Sequence, residues 1–296
     1  MPLLGEIAAL VTALLWSGTS IVFTEASVRV GPIYVNVTRM FMALVYLTIT
    51  LLIMNVKIDL SFNQVGNLAI SGFAGLIIGD TFLFKAYRSI GARRSMLIMA
   101  LVPPFSALMA FFFLGERLSF LGVFGILITV SGIALVILKR EEKPTSNYKI
   151  DNTGIFYALI GAAGQAVGLI FAKHAFNEGE ISGFLASFVR IASAVIIIYP
   201  LALFTNRYKN PIRVYMNDKR ALLFTAIGSV IGPYLGITFS MISISHAKVG
   251  IAATIMATVP IIMLPMVRYY YKEKLSWISI FGAVAAVSGI AILLLR

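Results

Sequence analysis

The chain has 296 residues, 59% of them hydrophobic and 12% charged, with a mean hydropathy of +0.94. That balance excludes a soluble globular domain of this length, and the lack of cysteine excludes disulfides, thiol redox chemistry and thiolate metal sites. Twenty-four Lys and Arg against twelve Asp and Glu give a formal net charge of +12, which in so apolar a chain is read as membrane topology and not as affinity for nucleic acid.

Stretches of roughly 20 residues with few charges follow one another along the chain, each long enough to cross about 30 Å of hydrocarbon as a helix. They cover 3–26, 33–54, 66–86, 95–114, 119–138, 154–176, 181–204, 221–245, 248–270 and 275–295, so the sequence predicts an all-α integral membrane protein with ten transmembrane helices. The runs are continuous and not alternating, which argues against strands. The first follows Met1 and Pro2 with no basic leader and no small-residue cleavage site, so it is expected to be a retained span. Assigning Lys and Arg to alternate loops puts Arg29, Lys85, Arg88, Arg93, Arg94, the 139–149 and 207–220 segments, Arg268, Lys272 and Lys274 on one side. Lys57, Arg117, Lys173, Lys248 and Arg296 fall on the other. The positive-inside rule makes the crowded side cytoplasmic and both termini external.

The chain is written twice. "VPPFSALMAFFFLGERLSFLGVFGILITVSGIAL" from Val102 resembles "VPIIMLPMVRYYYKEKLSWISIFGAVAAVSGIAI" from Val259, with Pro103 on Pro260, Glu116 on Glu273 and Ser131-Gly132-Ile133-Ala134 on Ser288-Gly289-Ile290-Ala291. Weaker correspondences join Gly5 to Gly154, Arg39 to Arg190 and Ile78-Gly79 to Ile231-Gly232. The halves are therefore residues 1–140 and 152–296, joined by a polar 141–151 linker within "KREEKPTSNYKIDN". Five spans per copy is an odd number, so the second copy is expected to enter the membrane upside down, as an inverted repeat of the kind found in secondary transporters.

With the duplicated unit, the block "GARRSMLIMALVPP...LGERLS" and its echo "HAKVGIAATIMATVP...KEKLS" on the page, the chain resembles the EamA-like branch of the drug/metabolite transporter superfamily over its whole length. The resemblance implies an exporter or permease of amino acids, metabolites or other small solutes, a location in the cell membrane, and cytoplasmic termini, the opposite of what the charge count gives.

Asp80, in "LIIGDTFLFK", is the one carboxylate deep inside a predicted span, so it needs a partner, water or a task. It is expected either to load and release a proton or to pair with Arg39 or Lys85. Gly79-Asp80, set against Gly232-Pro233, reads as a matched helix break whose freed amides could hold a substrate carboxylate, or as two glycines that let helices pack closely. Phe84 and Tyr87 share the face of Asp80, Thr12, Trp16 and Ser20 form a second stripe, and Tyr234 and Thr238 a third. Trp16, Ser20, Asp80, Phe84, Gln165, Tyr234 and Thr238 are the cavity candidates.

Arg39 and Arg190, each about one and a half turns inside its helix, read as snorkelling or paired cations or as gating groups. Pro103 and Pro260 read as kinks that could flex their helices. Gly125 and Gly132, repeated as Gly282 and Gly289, put small residues on one helix face where two backbones can meet, and resemble the dimerisation helix of small multidrug-resistance transporters, which implies that these helices join the halves. Where those transporters carry a first-helix glutamate, this chain has Trp16 and Gln165, which shifts any coupling to Asp80.

His174 and His246 have no metal-ligand spacing, no phosphate-binding GxxxxGK[ST] loop occurs, and no catalytic triad or carboxylate pair is evident. The expectation is a monomeric secondary active transporter, without cofactor or enzymatic activity, of a small amphipathic metabolite such as an amino acid, coupled to protons through Asp80. A passive channel or scaffold is the alternative.

Overall fold

A computed structural model describes residues 3–114, 119–138, 151–247, 252, 255–272 and 275–294. All regular structure among them is helical, which satisfies each backbone amide within its own segment where no water can do so. The first half runs α1 (Leu4–Val30), α2 (Pro32–Ile53), α3 (Phe62–Gly72), a π-helical segment Phe73–Gly79, α4 (Asp80–Met99), α5 (Val102–Leu114) and α6 (Phe120–Leu138). The second runs α7 (Asn152–Asn177), α8 (Gly183–Phe204), a short α9 (Pro211–Asn217), α10 (Lys219–Ser229), a second π segment Val230–Gly236, α11 (Ile237–His246), α12 (Val259–Tyr270) and α13 (Trp277–Leu294).

Among the described residues, six helical runs are long and apolar enough to cross a membrane: Leu4–Val30, Pro32–Ile53, Phe62–Met99, Asn152–Asn177, Gly183–Phe204 and Lys219–His246. Shorter apolar helices occupy Phe120–Val136, Val259–Tyr270 and Trp277–Leu293. The chain is thus a helical membrane protein, and its segmentation differs from a row of ten equal spans. The predicted 66–86 and 95–114 spans are parted at Gly91, whose φ 80 and ψ 167, a non-helical conformation open to glycine, kink the helical run from Phe62 to Met99. Val102–Leu114 follows as a further helix, so the predicted 95–114 span is made of two pieces. Glu116 and Glu273 of the repeat and linker residues 141–150 lie outside the described residues.

Polar side chains start several helices. Ser61 and Gln64 form a reciprocal capping box at α3, with Gln64 N donating to Ser61 Oγ (3.0 Å) and Ser61 N to Gln64 Oε1 (2.9 Å). Asp151 caps α7 by accepting from Thr153 N (3.1 Å), and Asp218 caps α10 by accepting from Ala221 N (2.9 Å). These bonds hold both carboxyls below the usual carboxylate range: Ser89 and Thr153 donate to Asp151, while Asp218 gains from the Ala221 amide and from Arg29 at 3.4 Å.

Two of the contacts that join the halves are built on glycine. Each half's opening helix packs against the other half's π segment: α7 against Phe73–Gly79 and α1 against Val230–Gly236. The second feature is the α6–α13 contact, where Gly125 faces Gly289 and Gly132 faces Gly282. A Cβ on Gly289 would stand 2.5 Å from Thr129 N and 2.6 Å from Gly125 O, so only glycine permits this approach. Thr129 Oγ1 sits in the same seam, within hydrogen-bond reach of Gly125 O at 2.9 Å and Ala286 O at 3.3 Å. Outward faces carry exposed Leu52, Ile196, Phe112 and Phe204, as lipid contact requires.

Gly289→Ala is expected to destabilise the protein by about 1–3 kcal/mol through overpacking. Gly66→Ala, where a Cβ meets nothing within 4 Å, is expected to be neutral or stabilising by up to about 1 kcal/mol. Thermal unfolding in detergent compares them, and equal midpoints would remove the argument for a glycine-dependent seam. For Asp218, a depressed carboxyl contributes stability above its unfolded-state value and loses it as pH falls through its folded-state value. Asp218→Ala should therefore melt below the wild type at neutral pH, with the gap closing on acidification below the ordinary carboxylate range.

Candidate functional site

The interior polar site begins with α2. Its N-terminal third puts Asn36 and Arg39, three residues apart, on one face, and both are buried. Arg39 Nη2 and Nε donate to Asn36 Oδ1 at 2.7 and 3.0 Å. Asn36 Nδ2 in turn donates to Leu76 O at 3.1 Å and Thr81 Oγ1 at 2.8 Å, tying α2 to the π segment and the first turn of α4. Arg39 Nη2 also donates to Asp80 Oδ2 in an ion pair whose members are 4% and 7% exposed. Above the guanidinium lie the rings of Phe84, with Cζ 4.8 Å from its centroid, and Phe23, at 5.5 Å.

The other oxygen of Asp80 is taken from the second half. Gln165 Nε2, on α7, donates to Asp80 Oδ1 at 2.6 Å and to Gly75 O at 3.1 Å. Gln165 can come this close because Gly79 has no side chain: a Cβ there would be 3.2 Å from Gln165 N and Cγ. Across the pseudo-symmetric contact, Gly236 receives Trp16, with Nε1 2.8 Å from where its Cβ would stand.

These contacts correct the sequence register. The π segments are 157 residues apart, Phe73 to Val230 and Gly79 to Gly236, so Gly79 matches Gly236, Gly75 matches Gly232 and Asp80 matches Ile237. The expected pairing of Gly79-Asp80 with Gly232-Pro233 is four residues out. The cause is α9, inserted whole into the loop after α8, which moves the offset in one step from the 151 of Arg39/Arg190 to 157. The matched break is real but takes another form. The helix widens instead of opening, and Asp80 N and Ile237 N donate back to Gly75 O and Gly232 O, five residues earlier, so these amides are not freed for a substrate.

A cavity of about 200 Å³ lies between the halves. Of the residues singled out from sequence, Trp16, Asp80, Phe84 and Gln165 line it, together with Arg39, Arg190, Pro103 and Pro260. Ser20 does not: it is fully buried inside α1 packing, donating to Ser17 O at 2.7 Å and touching Met263 Sδ at 3.3 Å. Tyr234 faces α2 instead, sharing a hydrogen bond with Thr50 Oγ1 at 2.8 Å and meeting Tyr46 edge to face at 5.7 Å. Thr238 turns its hydroxyl back to Tyr234 O and packs its backbone beside Gly183. Helical spacing put these three on the right faces of their helices, but the neighbour each face meets is set by tertiary packing. The sequence reading passed over Thr19, Phe23, Met96, Met99, Met241 and Met256. No charge or motif marks them, although four methionines, two on α4, one on α11 and Met256, make a recognisable adaptable lining.

The fold and this site define a polytopic helical bundle with two related halves around a buried, charged cavity that offers a guest one carboxylate, two guanidiniums and much apolar surface. The profile of the EamA-like transporter family matches residues 3–138 and again 152–295, and the chain belongs to that family, within the drug/metabolite transporter superfamily. Its members are multi-pass membrane proteins. A solved structure titled "Crystal structure of protein" superposes with a TM-score of 0.68 at 18% identity, over 98% of this chain and 96% of that one, which establishes likeness of fold. A search of curated proteins found no match.

Removing one member of a buried pair strands the other. Asp80→Ala should cost about 3–5 kcal/mol of stability, and Arg39→Met added to it should recover part of that loss by removing the unpaired guanidinium. Denaturant titrations followed by helicity test this; a double variant no more stable than Asp80→Ala would show that the charge left on Arg39 is not the cause.

Proposed function

We propose that this EamA-like protein is a monomeric secondary active carrier that moves a small amphipathic organic metabolite outward across the cell membrane by alternating access. The observation that carries the reading is the central cavity itself. Its polar floor is assembled from both halves, Asp80 and Arg39 from one and Gln165 and Arg190 from the other, so any relative movement of the halves must remake it. Two five-span units in opposite orientation fit the same reading, because α1 and α7 make exchanged contacts with the matched π segments.

Asp80 is the candidate for proton coupling. Both its oxygens are occupied, by Arg39 and Gln165, so a proton has to arrive in a conformation where one of these has let go. Loading and conformational change would then be linked, which is the requirement for coupled transport. The Gln165 bond crosses from one half to the other, so its breaking removes one tie between α4 and α7.

Counterflow in proteoliposomes distinguishes a carrier from a passive pore. Preloaded unlabelled solute should drive transient accumulation of labelled solute against its gradient, whereas a pore only equilibrates it. Asp80→Asn should keep exchange while losing pH-gradient-driven accumulation, by about tenfold or more if coupling runs through this group. Full pH-driven accumulation in Asp80→Asn would exclude it as the coupling site.

A further inference from the structure

The two arginines at matched positions are not equally provided for. Arg39 has a carboxylate, an amide oxygen and an aromatic face in Asp80, Asn36 and Phe84. At the positions matching these three, Arg190 has Ile237, Ser187 and Met241. Isoleucine accepts nothing. The Ser187 hydroxyl is buried without a hydrogen-bond partner among the described residues, and the Met241 thioether, 3.7 Å from Arg190 Nη1, is a weak acceptor. Arg190 Nε has no hydrogen-bond partner among the described residues, although the residue is only 5% exposed. Its Nη2 lies beside Gly75, 3.3 Å from where a Cβ would stand, and the side chain lines the cavity.

Charge gives the same imbalance. Among the described lining residues the ionised groups are Arg39, Asp80 and Arg190. Asp80 is in contact with Arg39, which leaves one guanidinium's worth of positive charge in a lining made mostly of Trp, Phe, Met and aliphatic side chains. A buried guanidinium with unused donors is costly to leave alone, and a planar oxyanion is the partner its geometry suits.

We propose that Arg190 binds the carboxylate of the transported solute, which is a singly charged organic acid with an apolar body and not an amine, a sugar or a zwitterion. This rests on the carrier reading above and adds the substrate class. A single carboxylate balances the surplus charge. A doubly charged phosphate would leave one negative charge over, and an ammonium would add a second unpaired cation.

The test uses the purified full chain in detergent and measures affinity by ligand-induced thermal stabilisation. The probes are acetate, butanoate and 3-phenylpropanoate, then 3-phenylpropanamide, 3-phenylpropylamine, phenylalanine and phenyl phosphate. The expected result is that 3-phenylpropanoate binds at least about tenfold more tightly than its amide, its amine, phenylalanine or phenyl phosphate, the margin of a charge-assisted hydrogen bond. Arg190→Gln should erase the preference of carboxylate over amide. Ile237→Asp, which supplies the missing acceptor from within the protein, should weaken carboxylate binding by a similar factor.

The proposal is overturned if no carboxylate binds, if the amide binds as well as the acid, or if Arg190→Gln keeps the preference. Should the arginine variant not fold, the wild-type ratio and Ile237→Asp decide. Selective carboxylate binding without counterflow would sink the carrier reading and leave the anion site standing. Counterflow of a neutral or cationic solute with no preference for acids would do the reverse.

Discussion

The structure depends on completing a pair of buried charges inside a protein that offers them no water. Asp80 and Arg39 are both in the interior, where an isolated ion is prohibitive and a pair is tolerable only when its remaining donors and acceptors are also met. Asn36, Gln165, Phe84 and Phe23 meet them. Each comes from a different position in the fold, so satisfying the pair fixes α2 against α4, α4 against α7 and α1 against both. The charge is thus a device for specifying one arrangement among helices whose apolar faces could slide past one another.

Lipid supplies no hydrophobic force to draw helices together, so close backbone approach has to do more of the work. That is why glycines stand where the π segments and the α6–α13 seam join the halves. Gly79 and Gly75 receive Gln165 and Arg190, Gly236 and Gly232 receive Trp16 and Thr19, and the α6–α13 seam is built on four more. The two kinds of contact differ in place: the seam lies away from the cavity, whereas the π-segment contacts, which bring Gln165, Arg190, Trp16 and Thr19 against glycine, form its wall.

Much of this could be read in the sequence. Continuous apolar runs gave the class, the Val102/Val259 blocks gave the duplication, and the rarity of an intramembrane carboxylate singled out Asp80 before any partner was known. Arg39 was already one of the two cations named for it. What could not be read was register. An apolar helix carries little information about which residue faces which neighbour, because nearly every face is hydrophobic; hence Ser20, Tyr234 and Thr238 were assigned to the cavity from spacing alone. The inserted α9 shifted the second copy by six residues at one place, and without it in view the repeat was threaded four residues off at Gly79.

The corrected register also explains why the wide turns matter to the chemistry. A π segment accommodates one residue more than an α-helix of the same rise, and an α-helical residue turns the chain by about 100°. If Phe73–Gly79 were regular α-helix, everything from Asp80 onward would be rotated by that angle relative to α3. Asp80 and Phe84, which now meet Arg39 together, would then face elsewhere. The second copy keeps the same widening at Val230–Gly236, now with Pro233 unable to donate within it, and so aims Ile237 and Met241 as the first copy aims Asp80 and Phe84. The duplication has therefore preserved the aiming device in both halves while the side chains delivered by it have diverged. One arginine sits in a filled charge network and the other beside an aliphatic residue, and this difference, not the shared fold, gives the cavity its net sign.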